Sequence, residues 1–98
     1  MLIPFDFEYA REAVELELNK TDIVFRTKSG YYVDLRHFWD PYVHDGNYFV
    51  EGFMFRDDGR HKAEYKVWTI EGKLRDDGLE TDMDLVIEII KLWLFLLI

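Results

Sequence analysis

The chain of 98 residues contains no cysteine. That excludes disulfides, thiolate-bound zinc and thiol nucleophiles together, and it fits a reducing cytoplasm. Serine occurs once, as Ser29 beside a glycine, and neither a nucleophilic serine motif nor a glycine-rich phosphate loop is present. Met1 to Ala10 carries Asp6 and Glu8 and lacks the basic start and long apolar run of a secretory signal. No uncharged apolar run reaches the ~18–20 residues needed to cross a bilayer. The expectation is a cytoplasmic protein that does not engage a membrane.

Bases are also missing where they would matter for nucleic acid. Asp76 to Glu88 holds six acids and no base, and Asp6 to Glu17 holds five acids against Arg11 alone. The middle of the chain is nearly balanced, and the net charge is −8. Acidic ends repel a phosphate backbone, so nucleic acid is not an expected partner.

What the chain has in quantity is apolar and aromatic surface. Apolar residues make up 49% of it and aromatics 17%, which places it among globular proteins and supplies more rings than a core this small needs. Leu85 to Ile98 is the most one-sided stretch: twelve apolar side chains against Glu88 and Lys91. Its own sheet, a second copy or a partner must bury it. Ninety-eight residues is the length of a single domain with one core.

Ile3 to Leu18 reads as a helix, with Pro4 and Asp6 at its start and Phe7, Ala10, Val14 and Leu18 at helical spacing. Asp22 to Thr27, Tyr31 to Trp39, Tyr48 to Phe55 and Glu64 to Ile70 read as strands. Turn chemistry separates them at Lys28-Ser29-Gly30, Asp45-Gly46-Asn47, Asp57 to Arg60 and Glu71-Gly72. Thr81 and Asp84 stand at capping-box spacing before Leu85, which favours a C-terminal helix; a buried strand from Leu85 to Ile90 is the rival. The expected fold is α+β. An N-terminal helix packs on an antiparallel meander of four or five strands and the C-terminal segment covers the remaining face, with a small barrel as the alternative.

Four constellations bear on chemistry. His37, Asp40 and His44 could ligate a metal, but they match no ligand spacing. Arg75 to Asp84 is acid-rich, yet its aspartates pair before Gly78 and no closing glutamate completes a calcium loop. Tyr31, Tyr32, Phe38, Trp39, Tyr42, Tyr48 and Trp68 could stack bases, but neighbouring acids cancel the nearby bases. The histidines and acids lie in turns or on polar faces, so no catalytic residue, cofactor or metal is assigned.

Ile3-Pro4-Phe5-Asp6-Phe7-Glu8, Val24 to Gly30, Tyr65 to Lys73 and Asp77 to Leu85 form an ordered pattern. It resembles a group of short uncharacterised proteins from gut bacterial genomes and their phages, whose outline is PFDLE, a TRDG hairpin and YTxDGKxxxDGxExDxDL. The resemblance spans most of residues 3–85. It implies a small, mostly β, cytoplasmic and often phage-borne domain, and it carries over no catalytic residue. This chain departs from the group in a longer first helix and a more apolar tail.

The function expected is a non-enzymatic interaction protein, of the phage or mobile-element accessory kind, acting on a protein partner or on itself as a homodimer. Leu92, Trp93, Phe95 and Leu96 are the expected interface, with Trp39 and Tyr42 as secondary positions. The alternatives are an acidic mimic of nucleic acid, motivated by Asp76 to Glu88, and a small metal-binding or enzymatic domain on His37, Asp40 and His44.

Overall fold

The computed structural model describes residues 1–56 and 63–90. Six strands are present among them: β1 (Leu2–Pro4), β2 (Ile23–Thr27), β3 (Tyr32–Phe38), β4 (Tyr48–Phe55), β5 (Glu64–Thr69) and β6 (Leu85–Ile89). They form one antiparallel sheet in the order β1-β6-β2-β3-β4-β5. With the helix α1 (Phe7–Glu15), the fold is α+β.

Period-two alternation sets the layers. Ile23, Phe25 and Thr27 of β2 are buried, and so are Val33 and Leu35, Val50 and Met54, Trp68, and Leu85 and Ile87 on the same face. Phe7, Ala10 and Ala13 of α1 pack into that layer to complete the core. Two irregularities help to fill it. The register shifts between Leu35 and His37 in β3 and between Tyr48 and Val50 in β4. Bulges of this kind re-aim side chains, and Phe38 and Phe49 both meet Phe7 edge-on, at 5.6 and 6.5 Å between ring centres.

The first helix is shorter than its periodicity suggests. Leu2–Pro4 is a strand, hydrogen-bonded beside β6 with Ile3 opposite Ile87. Asp6 then caps the helix, accepting the Tyr9 N–H at 2.9 Å. The helix stops after Glu15, and Glu17 takes a left-handed conformation at φ 60°.

At the C-terminal segment the rival reading, a buried strand from Leu85 to Ile90, is the one that holds, while its expected place over a free face is corrected. Leu85–Ile89 is a strand rather than a helix, and it does not cover a face of a meander. It inserts between β1 and β2, so the last described strand lies inside the sheet, and the strand count among the described residues is six. Val86 and Ile87, both β-branched, suit that place. The sheet is open, since β1 and β5 form opposite edges; the barrel alternative does not hold.

Two turns are built alike. Thr27 donates its N–H to the Tyr31 carbonyl and accepts the Gly30 N–H, each at 2.9 Å, and its hydroxyl accepts the Tyr31 N–H at 3.1 Å. Thr69 repeats the set with Lys73 (2.8 Å), Gly72 (2.9 Å) and again Lys73 (3.1 Å). Gly30 and Gly72 supply the positive φ that both turns need. The first turn leads into β3. The second aims the chain at the open edge of β5, but it leaves that edge: the Leu74 N–H goes to the Asp84 carboxylate at 3.0 Å and the Leu85 N–H to the Gly72 carbonyl at 2.8 Å.

Candidate functional site

The helix covers one face of the sheet. On the other, alternation brings out Val24 and Arg26, Tyr32 and Asp34, Glu51, Phe53 and Phe55, Tyr65 and Val67, and Val86 and Glu88. A solvated sheet face normally alternates to polar residues. Here aromatic pairs cross the strands instead: Tyr32 lies 5.5 Å from Phe55, and Phe53 lies 6.0 Å from Tyr65. Tyr65 is 55% exposed and Tyr32 and Phe55 are just over a third exposed.

Two of the acids on this face are matched by arginines and a third by a hydroxyl. Arg26 bonds Glu88 at 3.0 Å across β2 and β6, and its guanidinium also donates to the Gly30 carbonyl at 3.1 Å. Arg36 pairs with Asp34 at 2.9 Å. The Tyr65 hydroxyl donates to Glu51, and that bond to a carboxylate holds the phenol above its ordinary pKa. The face therefore presents rings set among satisfied ion pairs.

A second aromatic group lies at the end of β3. Trp39 sits between two imidazoles: His37 meets it edge-on at 4.7 Å and His44 stacks on it at 5.2 Å. His44 also meets Phe49 at 5.1 Å. The Asp40 carboxylate turns back to accept the Tyr42 N–H at 2.9 Å, and its carbonyl accepts the His44 N–H at 2.8 Å. The structure thus gathers His37 and His44 around a ring and uses Asp40 to shape the turn. Among the described residues no three metal-ligating side chains come together. Of the two secondary interface positions, Tyr42 is 96% exposed and Trp39 is half-buried between the histidines. Leu92, Trp93, Phe95 and Leu96 lie outside the described residues, as does the expected turn from Asp57 to Arg60.

The acid-rich segment before β6 is mostly committed to internal contacts. Arg75 forks onto Asp77, whose carboxyl is lowered to about 2 by that bond and by the Leu79 N–H. Glu80 faces Lys28 at 3.6 Å. Asp84 is 2% exposed and accepts three bonds, from the Leu74 N–H, the Thr81 N–H and the Thr81 hydroxyl. Burial pushes its carboxyl up, but those donors and the Lys28 charge outweigh burial and hold it below the ordinary range. With Glu88 on Arg26, four of the six acids from Asp76 to Glu88 have partners of this kind, and the negative cluster is dispersed.

A cleft of about 470 Å³ lies between β1 and this segment, over Ile3, Phe5 and Leu85 and rimmed by Lys28, Lys73, Glu71 and Glu80. Its one buried carboxylate, Asp84, is the acceptor just described. The structural role of Asp84 was missed in the sequence, although its spacing from Thr81 carried the signal. The outward positions of Phe53 and Phe55 were missed too, because β4 is apolar on both faces and alternation alone does not say which rings lie outside.

Among the described residues no helix is long and apolar enough to cross a membrane. No family model matches the chain, and no curated protein or solved structure matches it.

Proposed function

We propose that this protein is a small non-enzymatic interaction module, of the accessory kind carried by phages and mobile elements, that works in the cytoplasm by holding a protein partner or a second copy of itself. The observation that carries this reading is the aromatic outer face of the sheet. Tyr32, Phe53, Phe55 and Tyr65 stand in two cross-strand pairs on the side opposite α1. Tyrosine and phenylalanine beside arginine are the residues enriched where proteins meet. Arg26 and Arg36 already hold Glu88 and Asp34, while Glu51 is bound by the neutral Tyr65 hydroxyl and keeps its charge. The face is thus mostly ring surface, with few charges left for a partner to answer. The phage-like character rests on the sequence resemblance alone.

The acidic-mimic reading is less supported, since most of the acids it needs are held by Arg26, Lys28, Arg75 or backbone donors. The metal reading loses its geometry once His37 and His44 face Trp39 rather than each other.

Photocrosslinking in cells tests the proposal. A photoreactive phenylalanine replaces Phe55 on the outer face or, as the control, Glu12 on the exposed side of α1. Discrete protein adducts from position 55, and none from position 12, are expected. Equal labelling from both, or none from position 55, overturns it.

A further inference from the structure

The two edges of the sheet differ. β1 is three residues long and ends in proline, both of which blunt an edge. β5 is six residues, Glu-Tyr-Lys-Val-Trp-Thr, without proline or bulge of its own, and among the described residues it pairs only with β4.

The turn after β5 fixes which backbone groups are free. Thr69 sends both its N–H and its carbonyl to Lys73 and Gly72, away from β4. In a strand, residues two apart direct their backbone groups to the same side. Val67 and Tyr65 therefore direct theirs to the open side as well, where no described backbone group meets them. The corresponding turn at Thr27 continues into β3, which fills that side of β2. At Thr69 the returning chain leaves after Lys73, so the hairpin is begun and no strand among the described residues completes it.

We infer that the open edge of β5 pairs antiparallel with β5 of a second copy, about a two-fold axis at Tyr65. This register sets Tyr65 against its twin, with outward backbone groups, and brings Ala63 opposite Val67. It also sets Glu64 of each copy opposite Lys66 of the other. Opposite charges facing across strands are favourable, and like charges are not. Sliding the register by two, to centre it on Lys66, would put the two ammonium groups face to face. Lysine on an edge strand normally discourages pairing; here Glu64, 3.6 Å away within the chain, already tempers that charge. The result is a continuous twelve-stranded sheet with both aromatic outer faces on one side. This inference deepens the interaction reading above by naming one partner and its contact.

Light scattering on the full chain, at concentrations up to about 1 mM because edge pairing buries less than a standard interface, tests it. A mass of twice 11.9 kDa is expected. Val67→Pro removes an N–H that β4 does not use, so it should leave the melting curve cooperative and yield the monomer. Lys66→Glu should weaken the dimer roughly tenfold, and adding Glu64→Lys should recover part of that loss, since it also breaks the Arg56–Glu64 ion pair within the chain. A wild-type monomer throughout overturns the inference, as does a dimer indifferent to both Val67→Pro and the charge exchange. If that indifferent dimer is instead lost with Trp93→Asp, edge pairing fails while the wider interaction reading survives. A monomer that also gives no adduct at position 55 removes both.

Discussion

Trp68 and Met83 join distant parts of the fold. The indole N–H of Trp68, fully buried in β5, donates to the Met83 carbonyl at 2.9 Å, just before β6 begins. Three strands separate β5 from β6 in the sheet, so this bond anchors the crossing segment beneath them. Replacing Trp68 by phenylalanine keeps most of the apolar volume but leaves the carbonyl unpaired. A loss of about 2–3 kcal/mol is expected from the bond and the partial void. The amides of Lys28 and Ser29, which donate to Asp84 and Asp82, should exchange faster in this variant. Chemical denaturation and hydrogen exchange check the two parts.

The paired turns allow a matched comparison. Gly30 and Gly72 both have positive φ, but a methyl at Gly30 meets open space, whereas one at Gly72 lies 2.7 Å from the Phe5 ring. Gly30→Ala carries only backbone strain, about 1–2 kcal/mol. Gly72→Ala adds displacement of Phe5 at the base of its side chain, for a total of about 3 kcal/mol. Urea midpoints for the two variants should fall in that order, and equal midpoints would show that Phe5 yields freely.

Asp84 couples stability to acid. Its native carboxyl titrates below the ordinary value, so its contribution is complete above about pH 4 and is lost as pH falls through the lowered native value. Asp84→Asn places an amide N–H2 where one of three donors must be accepted. A loss of about 1–3 kcal/mol at neutral pH is expected, with a shallower decline of stability below pH 4. Asp77 titrates low as well and remains in the variant, so some acid dependence persists. Melting temperatures between pH 2 and 7 for both proteins separate these contributions.

Local signals were legible in the sequence and long-range pairings were not. Alternation marked β3 and β5 closely, β-branched and aromatic content marked β2 and β4, and neighbouring turns fixed most of their ends. Pro4 suited a first helical turn, yet its neighbours pair with β6, a partner more than eighty residues away. Thr81 and Asp84 make one bond of a capping box, the Thr81 N–H to the Asp84 carboxylate, but the Thr81 hydroxyl donates to that carboxylate instead of accepting the Asp84 N–H. Trp68 and Leu74 hold the segment, and a strand follows it. Glu88 reads in the sequence only as one of two charges in an apolar stretch; across the sheet it is the partner of Arg26. The aromatics near Trp39 could be grouped from the sequence, while the edge of β5 could not, since an edge is defined by the neighbour it lacks.

Glu17 marks a place where the fold accepts strain. It is the one non-glycine among the described residues with positive φ, at 60°, directly after the helix and its C-cap Leu16. Glycine is the usual residue where a helix ends left-handed, because a Cβ there costs about 1–2 kcal/mol. Against that gain stand the wider unfolded ensemble of glycine, about 0.5–1 kcal/mol, and the exposed Glu17–Lys20 ion pair, which contributes little. Glu17→Gly should therefore stabilise the protein, by about 0.5–1 kcal/mol, with no change in the denaturant slope. The same gain from Glu17→Asn, which also tolerates this conformation, would assign the effect to backbone strain. A loss of stability in both variants would mean that the Glu17 carboxylate contributes more through Lys20 than an exposed pair ordinarily does.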